Sequence, residues 1–168
     1  MKNRYSHQLI QGITFGLTTS VITSLGLIAG LYAATASKLA VVSGIAVMAV
    51  ADGLSDAVSL HTVEEAELDG DGRPRHTHAE VWMTTVFTFL AVAVFSLSFV
   101  VPVLLFSLGT AIGVAIAWGL LLLAVLNYYV ARARRESPLR AIGEHVLVAL
   151  AVIAVSHYVG RAVAVLLE

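Results

Sequence analysis

Two aspartates, Asp52 and Asp56, interrupt a stretch of the sequence that is otherwise apolar. On an α-helix their spacing places both carboxylates on one face, about 6 Å apart along the axis. An aspartate at the centre of a membrane helix costs about 2.5–3.5 kcal/mol to insert, and neighbouring carboxylates repel each other. A bound cation, a shared proton or a water-filled cavity would offset this cost. The pair therefore predicts an ion or proton site inside the membrane.

The helix face that carries the aspartates continues in both directions. At about 100° per residue, Met48 and Ser59 share it. Carboxylates suit Mn²⁺ and Fe²⁺, and a thioether adds a preference for softer metals. We predict that Asp52, Asp56 and Met48 form a metal and proton site whose path Ser59 helps to line. The alternative is that both aspartates are protonated and form hydrogen bonds with the threonine-rich segment that precedes them.

Acidic and histidine side chains follow in a short predicted connection over residues 61–80. Carboxylate and imidazole ligands together can hold a transition metal. We predict that such side chains capture the ion at the mouth of the site: His61, Glu64, Glu65, Glu67, His76, His78 and Glu80. A solvated, charged connection without metal is the alternative, and we prefer that interpretation for residues 69–75.

The segments that must position these residues are membrane helices. Hydrophobic residues make up 58% of the 168-residue chain and charged residues 12%, whereas soluble domains carry about 25% charged residues. Apolar segments long enough to cross a bilayer occupy residues 9–32, 39–60, 81–106, 108–130 and 145–167. Pro102, Ser107 and Gly109 mark the turn between the third and fourth segments. We predict a single all-α, polytopic domain with five transmembrane helices.

Lys and Arg favour the cytoplasmic side of a membrane. With this span count, one side carries Lys2, Arg4, Arg73, Arg75, Arg132, Arg134, Arg135 and Arg140, and Lys38 lies on the other. The N-terminus is therefore predicted to be cytoplasmic, in a multi-pass protein of the lipid bilayer, which would be the plasma membrane in a prokaryote. Trp82, Tyr128 and Tyr129 lie near predicted interfaces and are typical of an aromatic belt.

Small residues recur along the first span at intervals of three or four. They are Gly12, Gly16, Thr19, Thr23, Gly26 and Gly30. Such stripes let helices approach closely, and we favour packing within one subunit over a subunit contact or a polar path lined by Thr19 and Thr23. His157 in the last span is a candidate proton relay, although we favour a hydrogen bond to a neighbouring helix.

The order of these segments resembles the vacuolar iron transporter family. The resemblance rests on residues 18–30, which end Leu-Ile-Ala-Gly, residues 44–67, which end in glutamates, the turn at 99–106, and the His-Tyr-Val-Gly-Arg sequence at 157–161. It implies five membrane helices, a homodimer, and exchange of Fe²⁺ or Mn²⁺ for protons. It also implies an ion path between subunits, lined by the first and second helices.

The sequence departs from the family pattern at three places. Thr18, Thr19 and Ser20 stand where members carry an Asp-Gly pair in the first helix. Asp56-Ala57 stands where they carry Ser-Met, and the long glutamate-rich domain between the second and third helices is replaced by a short connection. The resemblance implies that the acid of the first helix has moved to Asp52 or Asp56.

We therefore expect a proton-coupled Fe²⁺ or Mn²⁺ transporter that works as a homodimer through its first helix. The metal is its substrate, and no permanently bound cofactor is expected. The alternative is a non-transporting membrane scaffold or accessory subunit on the same fold. The sequence contains no nucleophile motif, phosphate loop or cofactor fingerprint, and no basic field for nucleic acid. We therefore expect neither an enzyme nor a nucleic-acid partner.

Overall fold

The computed structural model describes residues 4–167, and side chains from residue 7 onward. It is 88% helical, with no strand among the described residues. The helices are α1 (Arg4–Thr35), α2 (Lys38–Ala66), α3 (His78–Ser98), α4 (Val100–Leu105), α5 (Leu108–Arg134) and α6 (Pro138–Leu167). Five helical spans are long and apolar enough to cross a membrane, with α3 and α4 together forming the third. The prediction of an all-α polytopic membrane protein is confirmed.

The second and last spans are longer than predicted. α2 continues from the predicted end at Leu60 to Ala66, because residues 61–66 contain neither Gly nor Pro and include good helix formers. His61, Glu64 and Glu65 therefore lie on α2, and the connection to α3 is residues 67–77. α6 begins at Pro138 instead of residue 145, since the fixed φ of proline suits a first helical turn.

Pro102 lies within a helix and not in the turn where it was predicted. α3 ends at Ser98, Phe99 interrupts the helix, and α4 resumes at Val100. Pro102 has no N–H that could donate to the Ser98 carbonyl. The Phe99 N–H donates to the carbonyl of Ser96, three residues earlier, at 3.1 Å. The third span is thus broken near its end, and the turn into α5 occupies only residues 106–107.

α1 lies at the centre of the bundle, with its longest contacts against α3 and α6. Its glycines make these contacts close: a Cβ on Gly16 would lie 2.9 Å from the Thr88 carbonyl oxygen on α3, and one on Gly30 would lie 3.2 Å from that of Ser156 on α6. The glycine stripe therefore serves packing within one subunit. We call the end with the α2–α3 and α5–α6 connections, which is the predicted cytoplasmic side, the basic end.

A capping box fixes the start of α3 at the basic end. The Glu80 backbone N–H donates to Thr77 Oγ1 at 3.4 Å, and the Thr77 backbone N–H donates to Glu80 Oε2 at 2.8 Å. We expect Thr77→Ala to lower the free energy of unfolding by about 0.5–2 kcal/mol, measured by reversible denaturation in mixed micelles. Thr62→Ala, which removes an exposed hydroxyl bonded only to its own helix, serves as the control. Equal effects of the two substitutions would contradict this role of the cap.

Candidate functional site

Asp52 and Asp56 lie side by side on α2, half-buried and turned toward α1. The small residues Ala49, Gly53 and Ala57 occupy the buried face of α2, and a Cβ on Gly53 would lie 3.2 Å from the ring of Phe89 on α3. Close packing of that face against α3 fixes the rotation of α2. Asp52 and Asp56 each stand one residue before a member of the buried face, Gly53 and Ala57. Their side chains therefore face the threonines of α1.

The two carboxylates differ in how their hydrogen bonds are satisfied. Asp52 Oδ2 lies 3.0 Å from the hydroxyl of Thr23 on α1. The Asp56 carboxyl lies beside the hydroxyl of Thr19, but its Oδ2 is buried and has no hydrogen-bond partner among the described residues. A buried carboxylate oxygen without a partner is unfavourable unless a proton or cation binds it. Asp56 Oδ2 is therefore the carboxylate oxygen that is left to bind a proton or a cation.

The hydroxyl of Thr23 has a second acceptor within reach. It lies 2.8 Å from the Thr19 carbonyl oxygen as well as 3.0 Å from Asp52 Oδ2. A hydroxyl has one proton to donate and two lone pairs that can accept. Thr23 can thus donate to Asp52, or donate to its own helix and offer its oxygen to a cation on the carboxylates.

Two grooves run along α1 and approach each other at the aspartates. The upper groove, about 720 Å³, opens at the basic end beside Glu67, Arg75 and His76 and reaches down α1 to Thr19. The lower groove, about 560 Å³, begins at Thr23 and Met48 and runs between α1 and α6 to Val163. Thr19 contacts Asp56 and Thr23 contacts Asp52, so each carboxylate touches a threonine at the end of one groove, although neither aspartate lines a groove itself. Met48 lines the lower groove together with Thr23, whereas Ser59 is exposed on α2.

The predicted capture residues do not assemble into one cluster. Within residues 7–167, no group of three His, Asp or Glu side chains is placed to hold a metal ion. Glu67 and His76 pair at 3.2 Å and line the upper groove. His61 pairs with Glu65 at 3.4 Å and with the Thr85 hydroxyl at 2.8 Å. Of the predicted capture residues, Glu67 and His76 are the two that line the upper groove.

The remaining capture residues lie elsewhere. Glu80 is buried and caps α3, and His78 lines a separate pocket of about 310 Å³ with Glu65 and His76. Glu64, predicted at the mouth, is 1% exposed. Neither of its carboxylate oxygens has a hydrogen-bond partner among the described residues, although the Thr84 hydroxyl is close by.

Burial of Glu64 has a signal in the sequence. It stands seven residues after Ala57, two helical turns along the face that already carries Ala49, Gly53 and Ala57. Gln8, which sequence reasoning did not single out, is also buried, and its Oε1 has no partner among the described residues. No sequence signal marks Gln8, because its burial depends on the packing of α1 at the centre of the bundle.

His157 is half-buried on α6, and its ring packs edge-on against Tyr158 with centroids 5.9 Å apart. It forms no hydrogen bond with another described residue, so no hydrogen-bonded chain joins it to the aspartates. The favoured hydrogen bond to a neighbouring helix is not formed with any described residue, and the role of His157 as a relay stays a prediction.

Comparison of the sequence with models of known protein families gives no match, and comparison with curated proteins gives none. The fold and the site define a polytopic membrane protein with a paired-carboxylate site in its second span. The resemblance to the vacuolar iron transporter family stays a prediction.

Proposed function

We propose that the protein is a transporter that carries Fe²⁺ or Mn²⁺ across a membrane in exchange for protons. The observation that carries the proposal is that Asp56 and Asp52 contact Thr19 and Thr23, which line two grooves along α1, while one buried carboxylate oxygen of Asp56 is unsatisfied among the described residues. Ionisable residues inside membrane spans mark ion or proton paths by default, and each carboxylate of this pair contacts a threonine that lines a groove.

Exchange follows from competition at the carboxylates. Adjacent carboxylates repel each other, so the pair favours a state in which a proton or a cation reduces the negative charge. A divalent cation that binds both carboxylates displaces the protons, and protonation releases the cation. When a cation takes Asp52 Oδ2, the Thr23 hydroxyl can donate to the Thr19 carbonyl at 2.8 Å. The hydroxyl then keeps a hydrogen bond in both states.

The donor set bears on which ion is carried. Carboxylate and hydroxyl oxygens alone suit hard cations such as Mg²⁺ and Mn²⁺. The thioether of Met48, on the wall of the lower groove with Thr23, adds a soft donor beside them. This combination supports Fe²⁺ and Mn²⁺ as substrates over Mg²⁺. At the basic end, Glu67 and His76 would meet the ion first.

We also propose that a second copy of the chain closes the grooves. The glycines of α1 already pack against α3 and α6, so a subunit contact would use the edge of α1 that stays open. Along the upper groove this edge carries Ile10 and Phe15, which are 60% and 37% exposed. A homodimer through this edge would convert the open grooves into a path between subunits.

A non-transporting scaffold on the same fold is the second candidate, and the Thr23–Asp52 hydrogen bond favours it. That bond satisfies one aspartate without any metal. On this alternative, both aspartates are protonated groups that tie α2 to α1. The scaffold predicts no metal binding at the site and full tolerance of the substitution of either aspartate by asparagine.

Binding of Mn²⁺ to the purified protein separates the two candidates. Free Mn²⁺ has a sharp electron paramagnetic resonance signal that weakens on binding. We expect saturable binding, weakened about tenfold or more in Asp56→Asn, because even residues that only support a metal ligand contribute about 10–100-fold to metal affinity. Glu136→Gln removes an exposed carboxylate that pairs with Arg134 and should leave binding unchanged. Absence of binding, or equal binding by both variants, would overturn the proposed site.

A further inference from the structure

An exposed stripe on α5 leads from the apolar part of the helix to an arginine at the basic end. Leu121, Val125 and Tyr129 follow one another at intervals of four residues and are 54%, 48% and 68% exposed. Arg132, also exposed, stands three residues further on the same face. By the rise of a helix, it lies about 5 Å beyond Tyr129 along the axis. This is an apolar surface with a cationic group at its polar end.

Arg132 and Arg135 differ from their neighbours in having no anionic partner. In the α2–α3 connection, Arg73 pairs with Asp71 at 3.6 Å and Arg75 with Glu67 at 3.2 Å. Around the α5–α6 connection, Arg134 pairs with Glu136 at 3.0 Å and Arg140 with Glu144 at 2.9 Å. Arg132 and Arg135 form no ion pair with any residue of the described chain. Their charges are therefore available to an anion from outside the protein.

The local backbone keeps the two arginines together. α5 ends at Arg134, and Arg135 adopts the left-handed conformation with φ 58°. The Arg135 backbone N–H bonds to the Arg132 carbonyl at 3.3 Å, so the two residues are held within one turn. A guanidinium group presents a planar set of donors that matches a phosphate. Two of them within one turn can hold one phosphate group from two sides.

We propose that Arg132 and Arg135 bind the phosphate of an anionic phospholipid whose acyl chains lie along Leu121, Val125 and Tyr129. Tyrosine is enriched at the level of the headgroups, and Tyr128 and Tyr129 stand directly below the arginines on the exposed side of α5. The apolar stripe favours a lipid over free phosphate, since free phosphate would use only the arginines. This site is independent of the proposed transport function.

Native mass spectrometry of the delipidated protein tests this site. We expect phosphatidylglycerol to bind more tightly than phosphatidylcholine with the same acyl chains. Arg132→Gln combined with Arg135→Gln should weaken phosphatidylglycerol binding about tenfold or more, because the phosphate loses its charge-assisted hydrogen bonds with the two guanidinium groups. The matched control combines Arg134→Gln with Arg140→Gln, which removes the same charge from the paired arginines, and should change binding less than about twofold.

Two further arms distinguish the source of the phosphate. Inorganic phosphate at millimolar concentration should not displace the lipid, and a short-chain phosphatidylglycerol should bind more weakly than the long-chain lipid. Equal losses in the two double variants would show that only net charge matters, and would overturn the proposal. Displacement by inorganic phosphate, or equal affinity for both headgroups, would do the same.

Discussion

Replacement of Asp52 by asparagine is expected to reduce Mn²⁺ uptake by proteoliposomes to less than about a tenth of the wild-type rate. Asparagine keeps the size of the side chain and a hydrogen bond with Thr23, which lies 3.0 Å from Asp52 Oδ2, but removes the charge. Mutation of residues that only support a metal ligand costs about 10–100-fold in metal affinity, and loss of a charged ligand should cost at least as much. Uptake would be measured from the quenching of a metal-sensitive dye trapped inside the vesicles.

The matched control for this experiment is Glu136→Gln, which removes one carboxylate at the basic end, away from both grooves. It should transport at the wild-type rate. Reconstitution yield and oligomeric state of both variants would be compared by gel filtration. Normal uptake by well-folded Asp52→Asn would contradict the proposed role of this residue and favour the non-transporting scaffold as the function of the protein.

The largest expected effect on stability is that of Gly160→Ala. Gly160 is where α6 crosses α1, and a Cβ at this position would overlap the carbonyl oxygen of Gly30. Because the obstacle is backbone, the helices must separate, and overpacking of this kind costs about 1–3 kcal/mol or more. We expect a lower midpoint of thermal unfolding in detergent, followed by the circular dichroism of the helices.

Gly143→Ala is the control for that substitution, since Gly143 lies on the same helix and a Cβ there would meet nothing within 4 Å. Alanine favours a helix over glycine by about 1 kcal/mol, so Gly143→Ala should be neutral or stabilising. Equal midpoints for the two variants would show that the α1–α6 contact is looser than the structure describes.

The architecture of this protein could be predicted from the sequence because lipid imposes simple conditions on a chain. A span must be long, apolar and helical, and residues 9–32 and 108–130 satisfy these conditions without ambiguity. The ends of helices were harder to predict, since hydropathy falls where charges begin although the helix continues. α2 therefore runs through Glu64 and Glu65 to Ala66, beyond the apolar stretch from which its end was predicted.

The site was predictable only in part, for a physical reason. The helical period places Asp52, Asp56 and Met48 on neighbouring parts of one helix, and that much is local. Which helix faces them depends on the packing of Gly53 against Phe89, a contact between distant parts of the chain. Contacts between distant parts of the chain also bury Glu64. It therefore does not lie at the mouth of the site, where it was predicted from its charge.

Movement of protons against Mn²⁺ tests the central claim most directly. Proteoliposomes that contain the wild-type protein and a trapped pH indicator would receive Mn²⁺ outside, with and without an imposed pH gradient. We predict that Mn²⁺ uptake is accompanied by proton release from the vesicles, that an acidic interior accelerates uptake, and that both effects disappear in Asp56→Asn. Mn²⁺ uptake without any proton movement, or no uptake by a folded protein, would contradict the assignment of Asp52 and Asp56 as a site where metal and protons exchange.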